Sequence, residues 1–301
     1  MRYINILFSQ ARVIRIKDNR LQIIDNDGQS FLYPLEDINC MMLENRTMSV
    51  SVRLLSECAK HGIAVFCCDE KHMPSGIFTP FNTHYQKPKV LKMQLDAAKP
   101  LQKRLWQALI RQKIKNQSEV LFLSERDGAD ELRELSKQVH SGDTGNIEAV
   151  AARKYFIKLF DHGFSRDQEN FANACLNYTY AILRGAIART LVAYGFEPSL
   201  GLNHASSLNA FNLADDLIEP FRPVADLLAL SIRQGECESL TTANKQDCLR
   251  IFQTACLLNG QVCSVNYAIE KLVQSLKQSL DSSEVLLDLP QIIKLHQVRY
   301  E

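Results

Sequence analysis

The chain has 301 residues, and its 35 Lys and Arg against 34 Asp and Glu leave a formal charge of +1, so the total gives no support to bulk attraction toward a polyanion. A hydrophobic fraction of 46% with 23% charged residues excludes general disorder and places the chain among globular proteins with one large core or two smaller ones. Nine scattered cysteines with no C-x-x-C pair exclude both a disulfide framework and a thiolate zinc site.

In chain order, the first 80 or so residues read as short strands. Tyr3 to Phe8, Arg12 to Ile16 and Leu21 to Ile24 are rich in β-branched and aromatic residues. Lys17-Asp18-Asn19-Arg20 and Asp25-Asn26-Asp27-Gly28 supply turns between them. A helix follows, with Val52, Leu55 and Ala59 on one face, Ser49 or Ser51 as its cap and Gly62 at its end. Ile63 to Cys68 is one more buried strand, and Pro74-Ser75-Gly76, Pro80 and Pro88 read as a linker. Cys67 and Cys68, near His61 and His72, read as the end of that strand and not as a nucleophile.

Beyond Lys89 the apolar spacing becomes helical and stays so. The spacing predicts helices over about 90–118, 119–138, 147–160, 171–194, 205–218, 222–234, 243–258 and 264–279. The expected fold is α+β and multidomain: a β-rich N-terminal domain over 1–85 and a larger all-α domain over 86–301. Long apolar regions such as Tyr180 to Tyr194 are interrupted by Arg184 and Arg189, and the N-terminus carries only a short apolar stretch. Neither a spanning helix nor a signal peptide is expected, and with the cysteine usage this points to the cytoplasm.

Charge is segregated along the chain. Nine bases between Lys87 and Lys115, including Lys103, Arg104, Arg111 and Lys113, face one acid, Asp96, a balance of 9 − 1 = +8. Glu119 to Glu134 carries six acids against two arginines, a balance of 2 − 6 = −4. Trp106 lies in the basic stretch and reads as core packing. No P-loop, strand-coupled G-x-G-x-x-G or G-x-S-x-G is present.

Three places carry candidate chemistry. Glu148 lies in the first turn of a helix with small residues around it, a position that also suits the helix dipole. His204 follows Leu200-Gly201-Leu202-Asn203 in a loop. Asp215, Asp216 and Glu219 cluster on a helix, where Arg222 is the nearest compensating charge. Carboxylates with an imidazole and no thiolate suit Mg²⁺ or Mn²⁺, a donor set used in phosphodiester chemistry.

Several ordered blocks together resemble the CRISPR-associated adaptation endonuclease/integrase, the larger of the two universal spacer-acquisition proteins, and most of all its type II branch. They are Glu148-Ala149-x-Ala-Ala-Arg153-x-Tyr155-Phe156, Phe164-x-Arg166-Asp167 through Asn173 to Leu183, Gly201-Leu202-x-His204 and Asp216-x-x-Glu219-Pro-Phe-Arg222-Pro223. Upstream, Leu43-Glu44, Leu54-Leu55 and Ile63, Val65, Phe66, Cys67 and Asp69 stand in the family's order. Ala149 replaces a frequent Gly, and Ser206-Ser207 replace bulkier or more polar residues, without removing a candidate ligand.

The resemblance implies a β-strand N-terminal dimerisation domain, a helical catalytic domain, a homodimer, and a catalytic Mg²⁺ or Mn²⁺ held by Glu148, His204 and Glu219, with Asp216 as a fourth ligand. It implies insertion of short foreign DNA fragments into a CRISPR array by attack of a 3′-hydroxyl on a repeat phosphodiester, together with endonuclease activity. The implied partners are a small ferredoxin-like adaptation protein, double-stranded prespacer and repeat DNA, and a type II effector nuclease. Arg153, Arg222, Lys103, Arg104 and Arg111 are the expected DNA-contacting residues. A non-catalytic helical nucleic-acid scaffold and a metal-dependent phosphohydrolase of small nucleotides are the alternatives.

Overall fold

The computed structural model describes residues 4–10, 12–25, 27–70, 74–78, 80, 87–160, 163–232 and 240–298. His72 and Cys237 lie outside the described residues. The chain divides into two compact units, Met1–His84 and Tyr85–Glu301.

The N-terminal unit holds two sheets and one helix. Strands β1 (Ile4–Phe8), β5 (Ile38–Leu43), β6 (Ala64–Cys68) and β7 (Pro74–Phe78) form one sheet in the order β1-β5-β6-β7. The β1–β5 and β5–β6 pairs are parallel, and β5 is buried along its whole length as a central strand should be. Strands β2 (Val13–Lys17), β3 (Arg20–Ile24) and β4 (Ser30–Pro34) form an antiparallel sheet. Its first turn needs positive φ at both central residues, and Asp18 (49°) and Asn19 (55°) supply it. Alternation along β2 sends Ile14 and Ile16 inward, where they join Leu21, Leu54 and Val65 in one core. Helix α1 (Val52–Lys60) is capped by the Ser51 side chain, which accepts the Leu54 N–H, and ends before Gly62 at φ 59°.

Two expectations change here. Pro74–Phe78 is an edge strand, not linker, because Pro can open an edge strand without breaking a ladder bond. Cys67 is exposed, while Cys68 is buried beside the Met42 sulfur.

The C-terminal unit is built around α3 (Lys99–Leu123), preceded by α2 (Lys87–Asp96) and followed by α4 (Ala129–Lys137), α5 (Ile147–Phe160) and α6 (Phe171–Ala193). Then come α7 (Asn212–Leu217), α8 (Arg222–Ser231), α9 (Thr242–Leu249) and α10 (Val265–Ser282). Lys99-Pro100 starts a new helix, so the predicted 90–118 helix is two. Residues 205–211 are loop, and α7 begins at Asn212.

The expected all-α C-terminal domain is corrected. Strands β8 (Thr254–Leu258), β9 (Gln261–Ser264) and β10 (Gln291–Gln297) form a three-stranded sheet in the order β10-β8-β9. The α-helix predicted over 243–258 ends at Leu249, and Asn259-Gly260, both at positive φ, turns β8 back as a hairpin onto β9. The unit is therefore mostly helical with one small sheet. Among the described residues, no helix is long and apolar enough to cross a membrane.

Candidate functional site

The spacing along α3 shows how a polar group reaches the middle of this unit. Leu105, Leu109, Lys113, Gln117 and Leu121 recur every four residues and are all buried. An ammonium in such a stripe needs charged partners, because burying it alone is prohibitively costly. It has two: Lys113 Nζ lies 2.6 Å from Glu148 Oε1 and 2.5 Å from Glu219 Oε2.

Glu148 is delivered by the first turn of α5. Asp143 caps that turn, its carboxylate accepting the N–H groups of Ile147 and Glu148 at 2.9 and 3.0 Å. Glu219 opens the short 3-10 turn Glu219–Phe221 between α7 and α8, whose backbone is fixed from α3 by Asn116 donating to the Pro220 carbonyl. Arg222, three residues on, donates its Nε to Glu219 Oε1 at 2.8 Å and stacks over the Tyr180 ring at 4.7 Å. Burial alone would raise the Glu219 carboxyl pKa, but Lys113 and Arg222 outweigh it and hold the group at about 2. The same carboxylates raise Lys113 against its own burial.

His204 is set by Asp216. That side chain is fully buried in α7 and takes four donors: the N–H groups of Leu202 and Asn203 on Oδ2, and the N–H and Nδ1 of His204 on Oδ1 at 3.1 and 2.7 Å. The hydrogen bond that the His204 ring donates to Asp216 is the main cause that raises the His204 pKa. It also leaves Nε2 as the free nitrogen, the arrangement a metal-ligating imidazole uses. Trp106 is 3% exposed, as its core reading expects, and meets the His204 ring edge-on at 5.6 Å. Asp215 is neutralised by Arg184 through two contacts at 2.6 and 2.9 Å.

The structure thus brings Glu148 and Glu219 together on one positive group, beside a cleft of about 220 Å³ also lined by Gln117, Arg166, Tyr180 and Asp226. His204 lines a second cleft, of about 450 Å³, with Gln102, Phe196 and Leu213. Among the described residues, no three His, Cys, Asp or Glu side chains stand close enough to hold a metal as they are. In donor chemistry the residues nevertheless fit a hard divalent cation: two carboxylates already converge on a cation, and a pre-oriented imidazole belongs to the same loop-and-helix segment. Asp216 has its oxygens engaged by His204 and its loop, so in this structure it orients that loop.

The expected DNA contacts divide. Arg153, Lys103 and Arg104 are exposed. Arg111 instead donates to the Val139 carbonyl at 3.1 Å, and Arg222 serves Glu219. Lys113, counted in the basic stretch, is buried in the site.

Sequence reading also missed a buried group behind Glu219. Asp226 accepts the hydroxyls of Tyr155 and Tyr180, the first at 2.9 Å, and burial raises its pKa to about 6 against those hydrogen bonds. Arg166 bonds Asn173 and Asn177 and faces the Tyr180 ring at 5.5 Å. The signal for Lys113 was present as an interrupted apolar stripe. None in the local pattern marks Asp226, whose partners lie 71 and 46 residues away.

Residues 6–251 match the family model described as CRISPR associated protein Cas1. The chain is 43% identical over 289 residues to the CRISPR-associated endonuclease Cas1 of Neisseria meningitidis serogroup C, covering 94% of each. In fold it resembles a casposase bound to integration product, with a TM-score of 0.76, 20% identity and coverage of 96% of this chain and 93% of that one. A Cas1 protein from Thermotoga maritima gives a TM-score of 0.74 at 16% identity, over 94% and 99% of the two chains. A strand-rich unit followed by a mostly helical one is thus the architecture of these structures too, and with a family match spanning most of its length the chain belongs to the CRISPR-associated Cas1 family.

Proposed function

We propose that this protein is a divalent-metal-dependent DNA endonuclease and integrase of CRISPR adaptation, joining short foreign DNA fragments to a repeat by 3′-hydroxyl attack on a phosphodiester. The observation that carries this reading is the convergence of Glu148 and Glu219, from two separate elements, on a single positive group. Glu148, Glu219 and His204 would hold Mg²⁺ or Mn²⁺, with His204 using the nitrogen that Asp216 leaves free. When bound, the ion supplies charge at the phosphoryl oxygen and eases deprotonation of an attacking hydroxyl or water.

The chain's own residues do the remaining work. Asp216 holds His204 in one orientation, and Asp143 fixes the turn that aims Glu148. Arg166 lines the cleft beside the carboxylates and offers a guanidinium group to a phosphate, while Arg222 holds Glu219. Arg153, Lys103 and Arg104 bind DNA backbone farther along the surface, reading charge and shape more than bases. The relative from Neisseria carries the name endonuclease, and the casposase is bound to an integration product; both support the reading. A homodimer acting with a small ferredoxin-like adaptation protein, in the cytoplasm and in contact with a type II effector nuclease, completes the proposal.

The test is strand transfer of a labelled short duplex into supercoiled repeat DNA, with and without EDTA and the small partner. We expect EDTA to abolish transfer and Glu148→Ala to lower its rate by about 100-fold or more. Transfer by the variant at the wild-type rate would overturn the assignment.

A further inference from the structure

We propose that Lys113 is the resident cation of the two-carboxylate site, a positioning residue that holds Glu148 and Glu219 together until a divalent ion displaces its ammonium toward the amide oxygen of Gln117. This rests on the metal-site reading above.

The first support is steric and electrostatic. With Nζ at 2.6 and 2.5 Å from the two carboxylates, Lys113 occupies the space between them. A bridging Mg²⁺ needs oxygens at about 2.0–2.1 Å, so the ion and the ammonium exclude one another. Without either, the buried Glu219 and partly buried Glu148 carboxylates repel, so Lys113 sets their separation before an ion arrives. Charge agrees: Lys113 and Arg222 against Glu148 and Glu219 sum to 2 − 2 = 0, and a divalent ion entering alone leaves an excess of +2. A phosphodiester and an attacking oxygen would absorb that excess, so Lys113 makes loading weak in the absence of DNA.

The second support is independent. Gln117 lies one turn along the same face of α3, is 2% exposed, and its Oε1 is buried with no hydrogen-bond partner. A buried amide oxygen left alone is rare and calls for an explanation. Gln117 and Lys113 line the same cleft of about 220 Å³, which gives a flexible four-carbon side chain room to turn. An ammonium driven from the carboxylates would find at Gln117 the acceptor it needs.

Mn²⁺ binding to the full-length protein without DNA, followed by electron paramagnetic resonance, tests this. We expect Lys113→Gln to bind Mn²⁺ about tenfold more tightly than wild type, and Gln117→Leu to bind it several-fold more weakly, the scale of coupling within one ion-pair network. Glu148→Gln should abolish binding in both the wild-type and Lys113→Gln backgrounds. Equal affinity of wild type and Lys113→Gln, with the Glu148 dependence intact, would overturn the role of Lys113 while leaving the metal site standing. No binding by either protein would overturn both. Should Lys113 variants fail to fold, wild-type protein labelled with ¹⁵N-lysine decides. A protected ammonium resonance, lost in Glu148→Gln, should leave its original position when Mg²⁺ saturates, and its persistence there would overturn the displacement.

Discussion

At the scale of single residues, Lys113, Asp216, Glu219 and Asp226 are buried charges that each have partners in place. Asp226 is the instructive case, because its partners are hydroxyls and not cations. Its folded pKa of about 6 lies above the ordinary carboxylate value of about 3.9, so the folded chain binds this proton more tightly than the unfolded one. The cost of ionising Asp226 is therefore absent below about pH 4, grows through about pH 4–6 and is complete above. We expect wild type to gain stability relative to Asp226→Asn by up to roughly 3 kcal/mol as pH falls from about 7 to about 4, measured by denaturant unfolding at each pH. A difference that does not change with pH would show that Asp226 titrates alike in the folded and unfolded chain. Glu219 shows the opposite behaviour, since its cationic partners outweigh its burial.

At the scale of elements, the loop between α6 and α7 is tightly constrained. Gly201 has no room for a side chain: a Cβ there would lie 2.2 Å from the His204 carbonyl oxygen, 2.8 Å from Asp216 Oδ2 and 3.0 Å from the Asn212 Cβ. None of these atoms can yield easily, because Asp216 is held by four donors and Asn212 bonds the Ser199 and Ser206 carbonyls. Gly201→Ala should therefore cost about 2 kcal/mol of stability and remove most strand-transfer activity while circular dichroism stays native-like. Retention of both activity and melting temperature would mean that the loop can shift without moving His204. Much of this is legible in the sequence, where Gly201-Leu202-x-His204 and the acidic helix both stand out. That Asp216 supports His204 while Glu219 faces Glu148 is not, because α7 ends at Leu217 and Glu219 opens a separate 3-10 turn, so the shared helix face that the spacing implies does not form.

At the scale of the whole molecule, a net charge of +1 hides a division of labour among the bases. Lys113 and Arg222 neutralise carboxylates, Arg184 neutralises Asp215, and Arg111 braces a carbonyl. Lys103, Arg104 and Arg153 are exposed, where a phosphate can reach them. Charge reversal of Lys103 and Arg104 together should weaken DNA binding at low salt and flatten the slope of log affinity against log salt by about one for each phosphate no longer neutralised. Thermal stability should stay near wild type, since surface substitutions of this kind change it little. An unchanged salt slope would place the DNA track elsewhere on the molecule.

The sequence by itself determined the two-part organisation, the hairpin-rich N-terminal unit, the helical periodicity beyond Lys89 and the choice of Glu148, His204 and Glu219 as candidate ligands. These rest on local physics: alternation, helical spacing, turn and cap chemistry act over a few neighbours and are written in order along the chain. Only the tertiary structure decided that Thr254–Leu258 is a strand, since its pairing with β10 joins segments far apart in sequence. Only the tertiary structure placed Lys113 between Glu148 and Glu219, 35 and 106 residues away in sequence, and joined Asp226 to two distant tyrosines. A short apolar run fits either a buried strand or a buried helix, and a charge on a helix fits either water or a partner. Which of the two is realised depends on what the rest of the chain brings alongside.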